Sequence, residues 1–245
     1  MAIKSIQYKQ HTIDISYEIV NPEAKVDMIV LHGWGSNKAL MKKSFAKYMD
    51  RFRHIYIDLP GFGGSTCNQV LQTNDYARIV ELLMIHLNAG KDIIIGHSFG
   101  GKVATFLSPS VLVLLSSAGI VWPKSLKVKA KIAVFKTLKI LGLSKLRSHF
   151  VAQDAKELNE PMYETFKNVV NEDFTYEFEN YSGKALVCWG DKDTATPLKS
   201  GYKIDELIKD SEFELYNGEH YFFMDHASDI SKKIEETFLK TLENN

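Results

Sequence analysis

The chain has little cysteine, no long apolar run and no net charge, and each shortage excludes something. Two cysteines among 245 residues, Cys67 and Cys188, cannot build a disulfide framework, so reduced thiols are expected. The longest uncharged apolar runs, such as Ile93–Ile95 and Val111–Leu115, fall far short of the ~20 residues a membrane-spanning helix needs. Residues 1–20 alternate polar and apolar side chains and lack the apolar stretch of a secretory signal, so a cytoplasmic location is expected. Lys and Arg number 30 and so do Asp and Glu; this balance gives no reason to expect nucleic acid as a partner. No His/Cys/Asp cluster has metal-ligand spacing, and no full phosphate-binding glycine loop is present. Neither a metal nor a cofactor is therefore expected. Internal repeats and low-complexity segments are also missing.

What remains is an ordinary globular composition, 45% hydrophobic and 24% charged. Ile3–Tyr8 and Thr12–Ile19 read as short strands. A series of unbroken apolar runs follows: Met28–Leu31, His54–Leu59, Ile93–Ile95, Val111–Leu115, Ala185–Trp189 and Glu212–Tyr216. Such runs suit strands buried on both faces, as in a parallel sheet covered by helices. Helical patterns alternate with them. One covers Lys38–Met49; a second is capped by Thr73 or Asn74 and stops at Gly90; a third is Gly101–Leu107; a last one is capped by Ser228. The alternation predicts an α/β layered fold. Between Val121 and Tyr181 only helical patterning is found, with a stripe of Leu126, Ala130, Ala133, Val134, Leu138 and Leu141. A helical cap over residues 121–181 is therefore expected, inserted into a core of 1–120 and 182–245.

Gly96-His97-Ser98-Phe99-Gly100 lies directly between a strand and a helix. A serine on such a tight turn has its hydroxyl exposed and a helix N-terminus aimed at developing negative charge. A serine hydroxyl needs a base, and the base needs an orienting partner. Of eight histidines, His220 in Asn217-Gly218-Glu219-His220 follows the last apolar strand, where side chains overhang the strand ends. His226 is its rival but falls near the last helix, and His86 lies within a helical pattern. The acid is expected after the strand Ala185–Trp189, where Asp191 suits a turn cap and Asp193 the orienting role.

Ser98, Asp193 and His220 stand in the chain order of the α/β-hydrolase superfamily, which this sequence resembles over nearly its whole length. His32-Gly33-Trp34-Gly35, Asp58-Leu59-Pro60-Gly61-Phe62-Gly63 and the Gly190, Asp193, Pro197 spacing resemble it too. The resemblance implies a mostly parallel eight-stranded sheet with helices on both faces and a helical cap. It also implies an oxyanion hole made by the backbone N–H groups of Trp34 and Phe99. Members that use Asp as nucleophile, such as haloalkane dehalogenases and epoxide hydrolases, are excluded by Ser98, which favours carboxylic ester hydrolysis. Meta-cleavage-product hydrolases share the three residues but usually carry a Gly-rich run and a Trp after the histidine; here stand Trp34-Gly35-Ser36-Asn37 and Tyr221. Pimeloyl-acyl-carrier-protein methyl esterases share the His-Gly-Trp-Gly loop and a basic cap. A catalytically silent binding module is the non-enzyme alternative.

Phe222, Phe223 and Met224, with Trp34 and Phe99, are candidates for an acyl pocket and equally for core. Within the expected cap, Val121–Phe150 holds Lys124, Lys127, Lys129, Lys131, Lys136, Lys139, Lys145 and Arg147 with no acid. Residues 151–180 hold eight acids against Lys156 and Lys167. The basic half reads as a guide for an anionic or carrier-linked substrate. Two alternatives are a solvated lysine face and a helix that touches a membrane surface.

Overall fold

A computed structural model describes residues 1–123 and 160–243. The eight strands are β1 (Ala2–Tyr8), β2 (His11–Val20), β3 (Val26–Leu31), β4 (Phe52–Ile57), β5 (Ile93–His97), β6 (Val111–Leu115), β7 (Lys184–Gly190) and β8 (Ser211–Tyr216). They form one sheet in the order β1-β2-β4-β3-β5-β6-β7-β8. Only the β1–β2 and β2–β4 pairings are antiparallel. The expected eight-stranded, mostly parallel sheet is therefore present.

The unbroken apolar runs are explained by burial on both faces. In β3, Ile29 and Leu31 join one core with Ile55, Ile57, Ile94, Leu112 and Leu114. Met28 and Val30 join the other core with Tyr56, Ile93, Ile95, Val113 and Leu115. Helices α1 (Lys38–Phe45) and α7 (Phe223–Glu243) cover the second face. Helices α2 (Thr73–His86), α3 (Phe99–Leu107) and α6 (Leu198–Leu207) cover the first. The loop after β3 thus leads to one face and the loop after β5 to the other. The crevice between such neighbouring strands, at their carboxyl ends, is where open α/β sheets bind ligands.

Several helix boundaries differ from expectation; helix α3 begins at Phe99, two residues before Gly101. Helix α2 starts one residue earlier, with Gln72 at its N-cap and the Asp75 carboxylate accepting from the Gln72 N–H at 2.8 Å. Helix α1 ends at Phe45, four residues short of Met49, which takes a left-handed φ of 57°. Helix α7 begins at Phe223, so Ser228 lies exposed within it and caps nothing. Burial of Phe223 against Phe45, with ring centroids 6.0 Å apart, draws the helix start close behind His220.

Of the expected cap, the stripe from Leu126 to Leu141 and the basic residues Lys124 to Arg147 lie outside the described residues. Within the same range, α4 (Glu160–Val169) and α5 (Thr175–Glu179) are described. The Leu71 N–H donates to Thr165 Oγ1 at 2.9 Å, and the Phe174 N–H to the Gly119 carbonyl at 2.8 Å. Lys102 of α3, 1% exposed, donates to the Val169 carbonyl at 2.6 Å and to Glu172 at 3.0 Å. Glu172 in turn accepts from the Thr73 hydroxyl.

Candidate active site

Ser98 sits between β5 and α3 with φ 50° and ψ −113°, a region a side chain rarely adopts. The flanking glycines are required by close approach. A Cβ on Gly96 would lie 2.6 Å from the Gly101 Cα, and one on Gly100 would lie 2.6 Å from the His32 carbonyl oxygen. The elbow is tied down by its own backbone: the Ser98 N–H donates to Leu115, and its carbonyl accepts from Gly101 and Ala118 at 3.0 and 3.1 Å. Phe99, the first residue of α3, has its N–H at the unsatisfied, positive end of the helix.

The loop after β3 is a turn closed by the Ser36 N–H on the Gly33 carbonyl at 3.1 Å, with Gly35 at φ 72°. Trp34 lies in that turn, and its indole packs edge-on against Phe62 and Phe99 and tilted against Phe166 of α4. His32 is fully buried beneath it and braces the loop from below. Its Nδ1 donates to the Gly33 carbonyl at 2.7 Å, and its Nε2 accepts from the Leu59 N–H at 3.0 Å. Burial pushes the His32 imidazole down to about 4, so the ring is neutral. Asp58 closes the same corner. It binds the Lys38 ammonium at 2.6 Å and accepts from the Lys38 and Gly64 N–H groups, and a Cβ on Gly63 would strike its carboxylate.

His220 and Asp193 come together from the loops after β8 and β7, with Nδ1 2.8 Å from Oδ2. The other Asp193 oxygen accepts from the Ala195 and Thr196 N–H groups at 2.8 and 2.9 Å. The Thr196 hydroxyl donates to Oδ2 at 2.8 Å. Burial works against ionisation of Asp193, but hydrogen bonds, led by that from His220, outweigh it and hold the carboxyl at about 2. Asp193 is thus a fixed acceptor that sets which imidazole nitrogen carries hydrogen. Asp191 serves the turn, accepting from the Gly218 N–H. His226 reaches the Asn217 carbonyl at 2.9 Å, and His86 is exposed on α2.

Ser98 and His220 both line a cavity of about 880 Å³, together with Trp34, Phe99, Phe222 and Met224. Phe223 is fully buried and packs in the core beneath α7, away from the cavity lining. Thr196, His97, Lys102 and Glu172 escaped the sequence reading. A hydroxyl three residues after Asp193 was the only available signal for Thr196. The other three depend on long-range packing. Among the described residues no group of three or more metal-ligating side chains is found, and no helix is long and apolar enough to cross a membrane.

Comparison with known proteins agrees with this architecture. Over an aligned stretch of 82 residues the chain is 34% identical to pimeloyl-[acyl-carrier protein] methyl ester esterase of Vibrio campbellii. That stretch spans 34% of this chain and only 31% of the relative's length. A 2-hydroxy-6-oxononadienedioate/2-hydroxy-6-oxononatrienedioate hydrolase of Pseudomonas putida is 25% identical over 86% of this chain and 87% of its own. The solved structure of a thermophilic esterase from Thermogutta terrifontis superposes with a TM-score of 0.70 over 98% of both chains. At 19% identity that likeness is one of fold. Residues 28–230 match the model of the Alpha/beta hydrolase family, to which the chain belongs.

Proposed function

We propose that the protein is a serine hydrolase that cleaves carboxylic esters through an acyl-enzyme on Ser98. The observation that carries this reading is the 2.8 Å Asp193–His220 hydrogen bond at the cavity that Ser98 lines from its elbow. With Asp193 ionised, His220 donates from Nδ1 and keeps Nε2 bare, the tautomer a general base requires. In the reaction Nε2 takes the Ser98 proton as the hydroxyl oxygen attacks the ester carbonyl. The negative charge that develops on the carbonyl oxygen is met by the N–H groups of Phe99 and Trp34. Donors of this kind are each worth about 10²–10³ in rate. His220 then returns the proton to the departing alkoxide, and water, activated the same way, releases the acid. The substrate is a small-molecule or carrier-linked ester, and no metal or cofactor enters.

The fold alone selects no chemistry, so the test is a substrate panel. It sets p-nitrophenyl esters of graded acyl length beside a meta-cleavage product and an acyl-carrier-protein methyl ester. Turnover of esters that falls by at least about 10³-fold in Ser98→Ala is expected. Turnover of the meta-cleavage product alone would replace ester by C–C cleavage. No turnover of any substrate would favour a binding module.

A further inference from the structure

His97, the residue between Gly96 and Ser98, is 1% exposed and has no part in the proton path above. Its Nε2 lies 3.1 Å from the backbone carbonyl oxygen of His220. A carbonyl only accepts, so Nε2 carries the hydrogen and Nδ1 is bare. Among the described residues Nδ1 has no hydrogen-bond partner. The ring packs against that of His220 with centroids 4.6 Å apart, and against Tyr221 and Phe223 at 4.9 Å each. On its other side it meets the loop after β3: a Cβ on Gly33 would lie 2.8 Å from His97 Nδ1 and 3.1 Å from Ser98 Cβ. One imidazole therefore spans the gap between the Gly33–Trp34 turn and the loop that carries His220.

Simple core filling does not account for this choice of residue. An imidazole buried with one nitrogen unpaired costs free energy that a leucine of similar size would not. What leucine lacks is the N–H that holds the His220 carbonyl. The Asp193 bond fixes one edge of the His220 ring, and the Gly218 N–H bond to Asp191 ties the loop two residues earlier; the His97 N–H holds the carbonyl of His220 itself. Burial also keeps the His97 ring neutral, at about 3, so no competing charge stands beside His220.

We propose that His97 is a positioning residue: its Nε2–H clamps the His220 backbone, and its ring sets the spacing between the base and the Trp34 turn. The inference rests on the assignment of His220 as base. Glutamine places its amide nitrogen near the position of Nε2, whereas asparagine reaches only that of Nδ1. His97→Gln should therefore keep kcat within about three-fold of the native chain. His97→Asn and His97→Leu should lose about 10- to 100-fold in kcat, as expected for a base displaced by about 1 Å, with KM little changed. Hydrogen–deuterium exchange of the 217–223 segment gives a readout independent of turnover: faster in the Asn and Leu variants, native-like in the Gln variant. Failure of the native chain to hydrolyse esters would sink the esterase reading and leave this exchange pattern as the test of the clamp. The proposal is overturned if the three variants behave alike in exchange and kcat, whether all native-like or all impaired. It is also overturned if losses in kcat merely follow losses in thermal stability.

Discussion

Ser98 carries the backbone strain of the site, since φ 50° with ψ −113° is costly for any residue with a Cβ, by about 1–3 kcal/mol. Two substitutions separate the hydroxyl from the strain. Ser98→Ala removes the hydroxyl and keeps the Cβ, so stability should barely move. Ser98→Gly also removes the Cβ and should raise the unfolding free energy by about 1 kcal/mol relative to Ser98→Ala, offset in part by glycine's greater freedom when unfolded. Urea unfolding of the two variants decides it, and a glycine variant less stable than the alanine one would refute the strain. At this scale the sequence was most legible where a backbone constraint dictates residue type. Gly96 and Gly100 are glycines because the chain approaches itself too closely for a Cβ. His97 and Lys102 were not legible, because their meaning lies in the residues 123 and 70 positions away that they touch.

The elements were read well in their middles and poorly at their ends. Strands buried on both faces announce themselves as apolar runs, and β6 coincides with its run, Val111–Leu115. Helix starts depend on local hydrogen bonds and on docking, which is why Gln72 with Asp75 shifts the start of α2 and buried Phe223 that of α7. The segment carrying α4 and α5 is joined to α3 by the Lys102–Glu172 pair, and the two sides of that pair are unequal: the Lys102 side chain is buried and that of Glu172 is 30% exposed. Glu172→Ala leaves the buried ammonium without its counter-charge, held by the Val169 carbonyl alone, and should cost about 1–3 kcal/mol. Lys102→Met leaves a carboxylate that water can reach and should cost clearly less. Chemical unfolding of both variants checks the order, and equal losses would mean the buried ammonium is not what makes the pair asymmetric.

For the whole molecule, zero net charge hides uneven interiors. Burial lowers three histidines, His32 to about 4, His97 to about 3 and His54 in the same direction. The unfolded chain takes up those protons near pH 6.5 while the folded chain refuses them, so stability is complete above about pH 6.5 and declines as the pH falls towards 4. Between pH 7.5 and pH 5 each fully neutral histidine should contribute a loss of at most about 2 kcal/mol. His97→Gln should make that decline shallower. A stability flat across this window would contradict neutral burial. Asp193, held near 2, takes no part until the pH is lower still.

The central claim is that Ser98 is the activated nucleophile, and covalent capture tests it most directly. A fluorophosphonate probe should add a single adduct to the native chain, detected by intact mass and mapped to the peptide containing Ser98. Ser98→Ala should take up none, and His220→Gln should label far more slowly. A native chain that stays unlabelled, or an adduct mapped to a residue other than Ser98, would contradict the account.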